Sequence, residues 1–243
     1  MVAPPDSTDC ECRPLALPAV KPAVKFDAGH FRARPGIALG QIRAALDSGL
    51  PCGVVLADAG YGADTGFWEQ LSELGLQYVV GVQASVSVWW PEEQPLPAKP
   101  RGKLGRPPKL LRRTKDHRPV SARELVLECG ERAWRTVTWR EGSNRRLKSR
   151  FLALRVRPAH RDYWRAEPHE EQWLLVEWPK GAAEPAKYWL SNLPAETSLG
   201  DLVRLAKHRW TIERDYLELK QELGLGHFEG RSWRGFHHHA TLV

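Results

Sequence analysis

GVVLADAGYG at residues 53–62 and QYVVGV at residues 77–82 are the stretches whose reading decides the fold. Gly53-Val54-Val55-Leu56-Ala57 is a short, continuous apolar run, and it ends in Asp58-Ala59-Gly60-Tyr61-Gly62. A run of that length bounded by glycines fits a strand buried on both faces. Phe67, Leu71 and Leu74 then fall on one face of a helix, with Gly75 as its natural stop. Gln77 to Val82 reads as a second buried strand. Strand, helix and strand within about 30 residues make a βαβ unit with parallel strands. Upstream, Ile37, Ile42, Ala45 and Leu46 predict a helix that Gly49 and Pro51 end.

Downstream the character changes. After a basic, proline-rich stretch, Leu152, Leu154 and Val156 alternate with Phe151, Ala153 and Arg155, and Gln172 to Trp178 is a second aromatic-rich run. Alternation of this kind predicts antiparallel strands. Tyr188 to Pro194 closes the block, and a long helix is predicted from about Leu199 to Leu223, ended by Gly224 and Gly226. The expected class is therefore α/β, with a core interrupted by a β-rich insertion. Residues 1–35 read as an irregular tail and 36–84 as the first part of the core. Residues 85–185 read as the insertion with its basic segment, and 186–243 as the second part of the core with the long helix.

Composition narrows the partners. The 243 residues suffice for one large domain or two small ones, and a net charge of +7 favours a polyanion. The four cysteines, Cys10, Cys12, Cys52 and Cys129, are spaced neither as a zinc site nor as a disulfide framework, so a reduced, cytoplasmic protein is expected. No apolar run approaches the roughly 20 residues that span a bilayer. Pro4, Pro5 and Asp6 interrupt any signal-peptide start. The eleven tryptophans read as sheet-core residues before base-stacking ones.

The long helix carries the sharpest signal. At about 100° per residue, Arg209, Glu213, Tyr216 and Lys220 share one stripe. Leu199, Val203, Trp210 and Leu217 lie on one flank, and Leu205, Ile212, Leu219 and Leu223 on the other. Lys207, Thr211, Asp215, Glu218 and Glu222 cover the far, solvated side. A carboxylate hemmed in by apolar flanks needs partners, and a metal ion is one. The plainer alternative is an i,i+4 ion pair worth a few tenths of a kcal/mol. Asp58 is the second candidate, because α/β folds place ligand groups at the C-terminal ends of parallel strands. Its alternative is a cap of the following turn. Gly60 and Gly62 permit close backbone approach there.

Arg209, three residues, Glu213, six residues, Lys220 resembles the Tyr-Arg-Glu-Lys signature of bacterial insertion-sequence DDE transposases. The Leu190-Ser191-Asn192-Leu193-Pro194 lead-in also resembles theirs, and Asp58 to Gly62 resembles the strand end that carries the second catalytic Asp. The likeness runs in order through residues 36–243. It implies a partial RNase H-like core, with Asp58 and Glu213 as catalytic residues and ligands of Mg²⁺. It also implies Arg209 and Lys220 on DNA phosphates, and double-stranded DNA (transposon ends and target) as the partner. The setting would be the bacterial cytoplasm at the nucleoid, and a homo-oligomer is compatible with it. Two departures stand out: Ala206 occupies the signature Tyr position, and Asp6, Asp9 and Asp27 have no strand pattern to make any of them the first catalytic Asp. The expectation is a chain truncated at both ends that binds DNA and does not cut it alone. A complete RNase H-like nuclease with a substitute acid, or a non-catalytic DNA-binding or interaction protein, are the alternatives.

Between Lys99 and Arg118 stand nine Lys or Arg and a single acid, Asp116, with Gly105-Arg106-Pro107-Pro108-Lys109 at the centre. An extended Arg-Pro segment can lie in a narrow minor groove, where negative potential is strongest. Arg106, Lys109, Arg112 and Arg113 are therefore expected DNA contacts, against the alternative of a solvated basic loop.

Overall fold

A computed structural model describes residues 34–100, 108–141, 146–222, 224, 227, 230 and 232–240. The first predicted helix is α1 (Arg34–Asp47). β1 (Val55–Ala57) leads through α2 (Ala59–Gly62) and α3 (Thr65–Glu73) to β2 (Tyr78–Val82). The two strands are parallel, with Val55 opposite Tyr78 and Ala57 opposite Val80, as the βαβ pattern requires. Two helices replace the single one expected because two aspartates cap in succession. Asp58 accepts from Gly60 N and Asp64 from Gly66 N. β2 is buried throughout, but β1 is only half-buried, so burial on both faces holds for one strand and not the other. Among the described residues β1 has a strand on one side only, which leaves its other edge uncovered.

The chain continues through β3 (Ser87–Trp89), β4 (Val120–Ser121), α4 (Ala122–Glu128), β5 (Arg135–Glu141), β6 (Arg146–Pro158), β7 (Gln172–Trp178) and β8 (Lys187–Ser191). One eight-stranded sheet runs β1-β2-β8-β7-β6-β3-β4, with β5 also on β6. β8 makes this continuity: Leu190 stands opposite Val80 on one side and Leu174 on the other. The strands of 85–185, expected as an inserted subdomain, thus extend the core sheet, and residues 33–243 form one compact unit. Asn192 locks the join. Its side chain accepts from Tyr78 N at 2.8 Å and donates to Leu76 O at 2.9 Å.

Period-two alternation sends β2 side chains to two cores. Tyr78, Val80 and Val82 pack with Phe67, Trp68 and Leu71 of α3. Val79 packs on the other face with Phe151, Leu175 and Trp189. That second face is covered by α5 (Leu199–His208), through Leu202, Val203 and Ala206. Helices on both faces of a mixed sheet give the α/β, partial RNase H-like arrangement.

The single long helix is corrected. α5 ends at His208, α6 (Trp210–Gln221) begins after Arg209, and α7 (Trp233–Ala240) follows. α6 has no buried residue, and Ile212, Tyr216 and Leu217 are each more than half exposed. The hemmed-in stripe therefore does not exist around Glu213. A helical wheel shows which residues share a face and says nothing of what covers it.

His169 sits on the first core with 6% of its surface exposed, and its Nε2 is 3.0 Å from His160 O. Burial pulls its pKa below the ordinary value. With the folded pKa depressed, the unfolded chain takes up the proton first as pH falls through about 6.5. Stability is then expected to fall on acidification from that point down to the folded pKa, by at most about 1.4 kcal/mol per pH unit. Urea unfolding at pH 7.5, 6.5 and 5.5 checks this, and a His169→Gln variant should show a shallower acid limb. An unchanged limb would assign the effect elsewhere.

Candidate active site

Asp58 ends β1 and opens α2, so a strand and a cap together aim its carboxylate. Oδ1 accepts from Gly60 N at 2.9 Å, and Oδ2 accepts from Arg209 Nη1 at 3.4 Å. The other arm of the same guanidinium, Nη2, donates to Glu213 Oε1 at 3.0 Å. One cation thus spans the two carboxylates, and all three side chains are substantially exposed. The turn-cap and i,i+4 readings of these residues are both present in the structure. They coexist with the convergence, which neither one alone requires.

The three residues line a cleft of about 380 Å³ together with Trp139, Lys187 and Lys207. Arg209 and Lys187 face the two carboxylates there, and Lys207 lies deeper in the lining. Lys220 is not among the lining residues. Its ammonium lies 5.4 Å from the Tyr216 ring on α6.

Lys207 escaped the sequence reading, which put it on the solvated side of the helix. Its Nζ lies 2.5 Å from Glu177 Oε2, with the two side chains 11% and 4% exposed. The rings of Trp139, Phe151 and Trp189 stand 4.5, 5.7 and 5.8 Å from the ammonium. Burial pulls the Lys207 pKa down, and the Glu177 hydrogen bond opposes that shift. Only the sheet extension, which covers α5, reveals the pair, and no local spacing announces it. Gly62 meets another surprise. The backbone approach it permits comes from β2, whose Gly81 O would stand 1.9 Å from an added Cβ.

The basic segment divides. Arg106 lies outside the described residues, and Lys109 is exposed. Arg112 donates through Nε to Pro97 O at 2.9 Å. Arg113, expected on DNA, is instead the counter-ion of the fully buried Asp162, to which its Nε donates at 2.9 Å. A buried carboxylate needs such a partner, and this one holds the guanidinium away from phosphates. Among the described residues, no group of three or more His, Cys, Asp or Glu is placed to hold a metal ion. No helix among them is long and apolar enough to cross a membrane.

A family model described as DDE superfamily endonuclease matches residues 11–146. That span includes Asp58 and ends before Glu213. No curated protein matches the chain.

Proposed function

The chain belongs to the DDE superfamily endonucleases, and from that premise we propose that Asp58 and Glu213 are two acids of a Mg²⁺-dependent site for DNA strand cleavage and transfer in an insertion-sequence transposase. The observation that carries this reading is the shared guanidinium. Residues 151 positions apart in sequence, Asp58 and Arg209, meet in the lining of one cleft, and Glu213 joins them through the same side chain. The donor set fits a hydrated divalent ion: two accessible carboxylates already converge on one positive group, and Mg²⁺ keeps several waters when bound by one or two carboxylates. When bound, such an ion supplies Lewis-acid stabilisation of charge on a phosphoryl oxygen. Arg209, whose planar fork suits a phosphate, would hold the DNA backbone beside the two acids. Lys187, exposed at the start of β8, adds a cation to the cleft for the backbone. Lys220 and the segment around Arg106 and Lys109 are proposed to contact DNA farther out.

A third acid is assigned to a strand that pairs with the open edge of β1. That edge has no partner among the described residues, and it runs directly to Asp58. Asp58 and Glu213 are the acids that converge on Arg209 among the described residues, and the pair is expected to hold a cation weakly and the chain to bind DNA without nicking it. The test uses Mn²⁺ as the probe, titrated by electron paramagnetic resonance. Asp58→Asn or Glu213→Gln should each weaken Mn²⁺ binding about tenfold or more, the equivalent of about 1.4 kcal/mol. Equal affinity in the wild type and both variants would remove the metal-site reading. In a plasmid assay with Mg²⁺ or Mn²⁺, nicking that disappears in Glu213→Ala would instead place a substitute third acid within the chain.

A further inference from the structure

Arg209 stands at the junction of α5 and α6, where it closes the first helix and precedes the second. From there one planar group serves both acids. Nη1 donates to Asp58 Oδ2 at 3.4 Å, and Nη2 donates to Glu213 Oε1 at 3.0 Å. Asp58 has its other oxygen committed, because Oδ1 accepts from Gly60 N at 2.9 Å. Neighbouring cations are engaged elsewhere. Lys207 pairs with Glu177, Arg214 bonds Glu218 at 2.6 Å, and the Lys220 ammonium lies 5.4 Å from the Tyr216 ring. Among the described residues, Arg209 is thus the cation whose hydrogen bonds reach both acids.

A guanidinium and a divalent ion compete for the same oxygens. Mg²⁺ takes carboxylate oxygens at about 2.0 to 2.1 Å, inside the distances that Arg209 keeps. Two positive groups that close together repel. A phosphate competes in turn for the two nitrogens, since arginine forks onto phosphate and carboxylate with the same geometry. The side chains of Arg209, Asp58 and Glu213 are 42%, 46% and 68% exposed, so both exchanges are open to solvent.

We propose that Arg209 couples cation binding to DNA binding: it neutralises Asp58 and Glu213 itself, which holds their affinity for a divalent ion low, and a DNA phosphate that takes the guanidinium raises that affinity. The inference rests on the reading of the two acids as a metal site and adds how that site is regulated. Coupling is reciprocal, so the ion strengthens DNA binding by the same factor. A divalent ion is then held firmly where a phosphate is already present.

The experiment has two arms. The first is Mn²⁺ titration by electron paramagnetic resonance without DNA, at low salt. Arg209→Gln is expected to bind Mn²⁺ about tenfold more tightly than wild type, within the range usual for coupled sites. The difference should shrink as KCl is raised, because the groups are exposed and salt screens them. Arg209→Lys keeps the charge and should stay within about threefold of wild type, as should Arg214→Gln, whose guanidinium is paired on the same helix. The second arm is fluorescence anisotropy of a labelled duplex in Mg²⁺ and in EDTA at matched ionic strength. Wild type should bind more tightly in Mg²⁺, and Arg209→Gln should lose most of that gain, because the two arms close one thermodynamic cycle. Mn²⁺ affinity that is unchanged or weaker in Arg209→Gln, while Asp58→Asn weakens it, would overturn this inference and leave the metal site standing. If neither Asp58→Asn nor Glu213→Gln weakens Mn²⁺ binding, the metal site falls and the coupling falls with it.

Discussion

Gly62→Ala is expected to destabilise the protein by about 3 kcal/mol or more and to displace Asp58, the largest effect of any single methyl added at the site. The added Cβ would stand 1.9 Å from Gly81 O, 3.0 Å from Gly81 C and 3.3 Å from Val82 Cγ1. The first two are backbone atoms of a fully buried strand, so no rotamer change relieves the clash. Gly81 is the reciprocal half of the contact. A Cβ there would lie 2.8 Å from Ala59 N and 3.1 Å from Asp58 C. Two glycines thus let α2 lie directly on β2. Tyr61 N and Gly62 N both donate to Asp58 O at 3.0 Å, so pushing α2 off the sheet carries Asp58 with it. Urea unfolding measures the stability loss, and Mn²⁺ titration of the folded variant measures the displacement. Gly53→Ala is the control: nothing lies within 4 Å of its Cβ position, and a change within about 0.5 kcal/mol is expected. If Gly62→Ala matched that control, the close packing of α2 on β2 would be refuted.

Lys207→Met should cost about 3 to 5 kcal/mol, because it strands the Glu177 carboxylate in the sheet core. The pair is 11% and 4% exposed, too buried for the screening that makes surface ion pairs nearly worthless. The three aromatic rings around the ammonium lose their cation as well. The double variant Lys207→Met/Glu177→Leu should recover most of the loss, since the surrounding Trp139, Phe151 and Trp189 accept apolar groups readily. A double-mutant cycle from urea unfolding isolates the coupling. A cost under about 1 kcal/mol for Lys207→Met alone would mean that the pair behaves as a surface bridge. The pair also joins β7 to the end of α5, two residues before Arg209. The Lys207→Met variant is therefore expected to weaken Mn²⁺ binding, and the double variant to restore it in part.

Features encoded within a few neighbouring residues were readable from the amino-acid order. The apolar run before Asp58, the stop at Gly75 and the run after Gln77 specify strand, helix and parallel strand. Each element's hydrophobic period and its glycine or proline punctuation are local. The spacing of Arg209 and Glu213 on one helical turn is local too, and with the strand-end Asp58 it was enough to name the candidate acids and the family pattern. Even where the wheel argument for Glu213 failed, the i,i+4 geometry beneath it held, as the 3.0 Å contact shows.

Long-range partners decided the rest. Whether an apolar flank is covered, whether Lys207 meets water or Glu177, and whether Arg113 faces a phosphate or the buried Asp162 all depend on residues dozens of positions away. The continuity of the sheet through β8 was decided the same way, by backbone groups on both of its edges finding partners. Charge and hydropathy are properties of a residue, and they fix the cost of burying it. Burial itself is a property of the packed chain, because apolar area and unpaired polar groups are removed from water only when elements meet. The sequence by itself therefore determined the βαβ unit, the positions of Asp58 at a strand end and Glu213 one turn after Arg209, and the net positive charge. Tertiary structure alone set the guanidinium between the two carboxylates, the caged Lys207 and the exposure of α6.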